Sequence, residues 1–192
     1  SSLVFISFED DSSLETIGQG AFAFIGDYEF EGNGISSIII PNTVTSLGEY
    51  AFADCSSLVS ISFETDSSLL AIGDYAFEGT GISSFIIPNS VTLIGEYAFS
   101  RCYSLVSISF EDDSSLLTIS DGAFYYTGIS SIVIPNSVTF IGSKTFRECS
   151  FLTNVTFQSS SNLTTIGFQA FMAPGLSGGS VSIDEDKAYL LR

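Results

Sequence analysis

Residues 57–77 read SLVSISFETDSSLLAIGDYAF and residues 104–124 read SLVSISFEDDSSLLTISDGAF, one phrase repeated 47 residues later. Between them stands ISSFIIPNSVTLIGEYAFSRC from Ile82, matched by ISSIIIPNTVTSLGEYAFADC from Ile35 and ISSIVIPNSVTFIGSKTFREC from Ile129. A more diverged copy of the first phrase, FLTNVTFQSSSNLTTIGFQAF, begins at Phe151. Self-similarity at a fixed period is the mark of a stacked-repeat architecture. Each 47-residue unit divides again, with 24 residues from Leu58 to Ile82 and 23 from Ile82 to Leu105. Both halves carry an L/I-x-x-I/F-x-I/F segment, a turn, and I-G-x-x-A-F. One half turns through an acidic E-x-D-S-S loop and the other through Pro-Asn, so two coil types alternate.

The spacing fixes which way side chains point. Leu58, Ile61 and Phe63 cannot share one face of a flat strand, because side chains alternate with a period of two. A bend at Leu58 followed by a strand with Ile61 and Phe63 inward satisfies the pattern. Pro88 and Asn89 end the strand of the next coil, since Pro cannot continue a ladder and Asn suits a turn. Val91 and Ile94 then point inward on the return, Gly95 allows a tight corner, and Ala98 with Phe99 packs the far side as a short helical turn. No coil buries these residues alone. Stacked coils do, with parallel strands about 4.8 Å apart.

The expected fold is a β-rich solenoid of about seven coils over residues 1–175, with short helical turns at the A-F corners. A degenerate coil and a terminal cap follow over residues 176–192. Ser182-Ile-Asp-Glu-Asp-Lys reads as a helix start, with an N-cap Ser and acids in the first turn. Near the other end, IGQGAFAF at Ile17 and IGDYEFEG at Ile25 form an eight-residue duplication within 17–32. One copy is expected in frame and the other bulged outward.

The coil Ile87–Leu105, written I-P-N-S-V-T-x-I-G-x-x-A-F-x-x-C-x-S-L, resembles the BspA-like leucine-rich repeat, and the likeness covers nearly the whole chain. The resemblance implies a right-handed leucine-rich-repeat stack on a secreted or cell-surface protein that serves adhesion or surface structure, with no catalytic motif to carry over. The chain opens at Ser1 within a repeat-like phrase, which reads as a processed or truncated product.

Charge narrows the partners. There are 22 acids against 5 bases in 192 residues, and residues 1–100 contain neither Lys nor Arg. Such a surface repels phosphate backbones, which argues against nucleic acid, and it attracts cations or basic partners. No apolar run is long enough for a membrane span. With no His, no nucleophile elbow and no phosphate loop, the reading is a protein that is not an enzyme and carries no cofactor or metal.

Three features remain as binding candidates. Ser7, Ile39, Ser62, Ile86, Ser109, Val133 and Thr156 lie between the inward residues of successive strands, giving an almost uncharged face suited to a protein or glycan ligand. The same uniformity suits lateral packing within a larger assembly, which is the alternative role. The acidic turns Glu9-Asp10-Asp11, Glu64 with Asp66, and Glu111-Asp112-Asp113 form a cation-attracting edge, and a second row, Asp27, Glu49, Asp74, Glu96 and Asp121, follows the corner. Hard oxygen donors in register suit Ca²⁺, yet the spacing lacks a dedicated calcium loop. Beside them runs a tyrosine row, Tyr28, Tyr50, Tyr75 and Tyr97. Asn154 and Asn162 stand in N-x-T acceptor sequences for glycosylation. Cys55, Cys102 and Cys149 recur every 47 residues. Two coils, roughly 9–10 Å, separate each pair, too far for a disulfide, so they are expected as buried core thiols.

Overall fold

The computed structural model describes residues 5, 6, 8, 12–23, 34–183 and 187. Each coil contributes one longer and one shorter strand. The longer series is β1 (Phe5–Ile6), β3 (Ser37–Ile40), β5 (Ser60–Phe63), β7 (Ser84–Ile87), β9 (Ser107–Phe110), β11 (Ser131–Ile134), β13 (Asn154–Phe157) and β15 (Ser180–Ser182). The shorter series is β2 (Thr16–Ile17), β4 (Ser46–Leu47), β6 (Ala71–Ile72), β8 (Leu93–Ile94), β10 (Thr118–Ile119), β12 (Phe140–Ile141) and β14 (Thr165–Ile166).

The short strands make one unbroken parallel sheet of seven, in the order β2-β4-β6-β8-β10-β12-β14. The long strands do not. They pair as β1-β3-β5, β7-β9 and β11-β13-β15, leaving seams between β5 and β7 and between β9 and β11. Within residues 35–157 the paired long strands start 23 residues apart, and the seams fall where an acidic coil has used 24. The expected parallel-sheet solenoid is the fold, and the 47-residue period is written into its hydrogen bonds.

The interior is a set of aligned rows. Phe52, Phe77, Phe99, Phe124 and Phe146 are fully buried, and their rings stack at 5.2–5.5 Å between neighbours. Phe22 and Phe171 close the row at its ends. Val91, Ile94 and Ala98 are buried as the spacing requires, as are their equivalents Val44, Leu47 and Ala51.

The corners differ from expectation. They are chains of turns, not helix. Ala51, Ala53 and Cys55 donate their N–H groups to carbonyls three residues back, whereas Tyr50, Phe52 and Asp54 donate to Asp74, Ala76 and Glu78 of the next coil. This alternation satisfies every second amide within the coil and the rest between coils. It also needs left-handed residues at fixed places, seen at Tyr50 (φ 56°) and Asp54 (φ 55°), Tyr75 (φ 55°) and Gly79 (φ 67°), and Tyr97 (φ 51°) and Arg101 (φ 58°). A helix admits neither the positive φ nor the outward amides.

At the N-terminal end the first copy of the duplicated phrase is in frame. Ile17 pairs with Leu47, and the N–H of Phe22 donates to Ala51 O. The second copy lies outside the described residues apart from its first strand neighbours. At the other end, Pro174–Ser177 forms a 3-10 turn, and β15 pairs in parallel with β13. Ser182 ends that strand and does not cap a helix, while Asp184, Glu185 and Asp186 lie outside the described residues. Lys187 donates from Nζ to Leu163 O at 3.0 Å.

Candidate functional site

The long-strand face assembles the residues picked out by alternation. Ile39 lies beside Ser62, Ile86 beside Ser109 and Val133 beside Thr156. Ser7 is outside the described residues. Ile39, Ile86 and Val133 are 45–59% exposed, with Val59 and Val106 exposed at the strand entries. Among the described residues the hydroxyls of Ser62 and Ser109 make no hydrogen bond within the protein, so they face outward with full capacity. The seam between β9 and β11 opens a shallow groove of about 330 Å³ lined by Val106, Ser107, Ser109, Ser131, Val133 and Gln158. The face is therefore divided in steps of two coils, which the sequence did not show.

The acidic turns have a structural task. Glu64 Oε2 accepts the Asn42 N–H at 3.1 Å, and Glu111 Oε2 accepts the Asn89 N–H at 2.9 Å. In the next unit Gln158 Oε1 accepts the Asn136 N–H at 3.0 Å, so a neutral amide does the same work. The corner row behaves likewise, with Asp74 Oδ1 accepting from Glu96 N–H and Asp121 Oδ1 from Ser143 N–H, both at 2.7 Å. Asp66, Asp112 and Asp113 remain exposed, while Glu9, Asp10, Asp11 and Asp27 lie outside the described residues. Among the described residues, no three acids or thiols gather as a metal would require. Glu111→Gln should thus leave the melting temperature at or above the parent value, while Glu111→Ala costs about 1 kcal/mol by orphaning the Asn89 amide. Thermal unfolding of both variants checks this.

Tyr50, Tyr75 and Tyr97 stack at 4.8 and 5.3 Å, and the row turns edge-on at Tyr125, 6.1 Å away. Tyr28 is outside the described residues. Removal from water raises the Tyr75 phenol, and Tyr50 and Tyr97 add to the effect. Of the two acceptor sequences, Asn154 starts β13, where its Oδ1 accepts from Ser180 Oγ at 3.1 Å, and Asn162 is exposed beside buried Leu163.

The short-strand face carries a feature that alternation alone did not flag. Leu70, Leu93, Leu117 and Phe140 point outward and are 37–52% exposed. The signal was present in the doubled Leu69-Leu70 and Leu116-Leu117, where the first of each pair is buried and only one can be. No helix among the described residues is long and apolar enough to cross a membrane.

The repeat model for the BspA type leucine rich repeat region matches residues 23–117 and 70–184, in six copies. The chain belongs to the BspA-type leucine-rich repeat family. Among solved structures it is similar to the pneumococcal vaccine antigen PcpA at 27% identity, covering 77% of this chain and 37% of that one, with a TM-score of 0.73. A leucine-rich cell surface protein of Faecalibacterium prausnitzii is 26% identical over 80% of this chain and 47% of that one, with a TM-score of 0.53. The leucine-rich repeat protein of T. pallidum shares the fold at 22% identity, over 93% of this chain and 78% of that one, with a TM-score of 0.54. The chain thus spans less than half of the first two proteins it matches. No curated protein matches it. Leucine-rich repeats of this family are typically non-catalytic.

In these BspA-type coils the recurrent cysteine is a corner fastener. Cys55, Cys102 and Cys149 are buried thiols. Their Sγ atoms donate to Phe22 O, Phe77 O and Phe124 O at 2.9–3.0 Å. Thr80 and Thr127 meet the last two thiols at 3.2 Å. Removal from water pushes Cys102 up to about 12, against the Thr80 hydrogen bond that lowers it, and Cys149 also rises. The unfolded thiol loses its proton near pH 8.5. Stability from this source is whole below that pH and is lost as pH climbs toward 12, at roughly 1.4 kcal/mol per pH unit for a fully shifted group. Urea midpoints taken from pH 8 to 11 should fall more steeply in the parent than in Cys102→Ala.

Proposed function

We propose that this chain is a non-catalytic binding module of an extracellular or cell-surface protein, which recognises protein or glycan ligands through its long-strand face. The supporting observation is the register of that face, where exposed Ile39, Ile86 and Val133 alternate with Ser62, Ser109 and Thr156. Such a surface offers aliphatic contact and uncommitted hydroxyls with no charge to desolvate. Its repetition every two coils suits a ligand that is itself extended or repetitive. Family membership and the printed description of the Faecalibacterium relative as a cell surface protein support the setting.

The test uses the intact chain on a glycan array and on immobilised extracellular-matrix proteins. Ser62→Lys, Ile86→Lys and Ser109→Lys together should leave the melting curve close to the parent, because all three side chains point outward. The same variant should abolish retention of whichever ligand the parent holds. Retention lost instead on neutralising Glu64, Asp66, Glu111, Asp112 and Asp113 would move the site to the acidic edge. Filaments or stable oligomers without any ligand would favour a structural subunit.

A further inference from the structure

The second face has different chemistry. Across consecutive short strands, Leu93 registers with Ala71 and Thr118, and Phe140 registers with Thr118. Leu70, Leu93, Leu117 and Phe140 therefore form a zigzag stripe over four successive coils. The sheet beneath them is the unbroken one. The threonines that flank the stripe are turned to the backbone: Thr92 Oγ1 donates to Leu70 O at 3.1 Å and Thr139 Oγ1 to Leu117 O at 3.2 Å. With those hydroxyls committed, the outward chemistry of this face is aliphatic and aromatic.

Carboxylates border it on both sides. Leu70 stands four residues from both Asp66 and Asp74, and Leu117 four residues from both Asp113 and Asp121. Glu96 follows Leu93 at the next corner, exposed. The border ends at Phe140, where Lys144 occupies the corner.

We infer that the short-strand face docks a cationic amphipathic helix of a partner protein, its apolar side chains on Leu70, Leu93, Leu117 and Phe140 and its Lys or Arg side chains against the flanking carboxylates. The spacings agree. Coils repeat about every 4.8 Å, and side chains three or four apart on a helix lie about 5–6 Å apart. Four coils span about 14 Å, which a helix of some ten residues covers at 1.5 Å per residue. A second copy of this chain is a poor occupant, because each carries a net charge of −17 and would set carboxylate against carboxylate. Complementary charge and a central apolar contact together give both steering and specificity.

The probe is a synthetic 14-residue peptide of Leu and Lys with Leu at helical i, i+3, i+4 and i+7 positions. Its scrambled isomer and the version with Glu for Lys serve as controls, all titrated calorimetrically into the intact chain. The amphipathic peptide should bind at least tenfold more tightly than its scramble, and the Glu version should not bind. Leu70→Ser, Leu93→Ser and Leu117→Ser together should weaken binding at least tenfold. Asp66→Asn, Asp74→Asn, Asp113→Asn and Asp121→Asn keep the backbone acceptors and should weaken it similarly while flattening its salt dependence. Ile39→Ser, Ile86→Ser and Val133→Ser should leave it unchanged, which separates this face from the long-strand one. Equal binding of the scramble, indifference to the leucine substitutions, or stripe-dependent dimerisation of the chain alone would each overturn the assignment.

Discussion

Phe99→Ala should lower stability by about 3–5 kcal/mol, near the top of the range for large-to-small core changes. The ring is fully buried and touches three others: Phe77 at 5.2 Å and Phe124 at 5.4 Å in parallel, and Phe85 at 4.9 Å edge-on. Its neighbours cannot collapse into the gap, because each is held in its own coil by backbone hydrogen bonds on both sides. The N–H of Phe99 itself donates to Ala123 O at 2.8 Å. For a chain of this length the loss corresponds to roughly 6–20 °C in melting temperature. Phe171 ends the same row with one stacked neighbour and partial exposure, so Phe171→Ala should cost well under half as much. Calorimetric melting of the two variants side by side is the check. Equal losses would show that the row does not act as a continuous stack.

The sequence made the rows legible because a repeat reports its own alignment. Val44, Val91 and Val138 had to be inside once Phe52, Phe99 and Phe146 were, since a two-type coil leaves no other phase for them. The seams were not legible. Hydrogen bonding between β5 and β7 depends on how a 24-residue coil delivers its strand, and nothing in SISF or SFII announces that difference. The corners misled for a related reason. G-x-x-A-F has the composition of a helical turn, but Tyr50 and Asp54 take positive φ because their amides are needed by the next coil. An interaction between coils outvoted a preference within one. The role of Glu64 and Glu111 was hidden likewise, since a charge run reads as a solvated edge until Gln158 is seen making the same bond. The apolar stripe of the short-strand face was missed because two-residue strands give alternation too little length to register.

If the 47-residue pair of coils is the physical unit, removing one whole pair should be tolerated better than removing a single coil. Deleting residues 58–104 joins Ser57 to Leu105 and leaves 145 residues. Every contact type is then restored: Glu111 reaches the Asn42 N–H in place of Glu64, and Phe124 falls on Phe52 in place of Phe77. Such a chain should still unfold in one cooperative step, with a urea m-value near three-quarters of the parent's because exposed area scales with length. Deleting residues 58–81 removes only 24 residues but sets one Pro-Asn coil directly on another. The Asn42 amide loses its carboxylate partner, at about 1–3 kcal/mol where water cannot replace it, and Ile87 replaces Phe63 over Ile40, leaving a void beside Phe85. Nearest-neighbour terms dominate a stacked repeat, so the longer deletion product should have the lower urea midpoint of the two. A single-coil deletion that matches or exceeds the stability of the two-coil deletion would make the single coil the unit, with the alternation of turns a matter of surface chemistry alone.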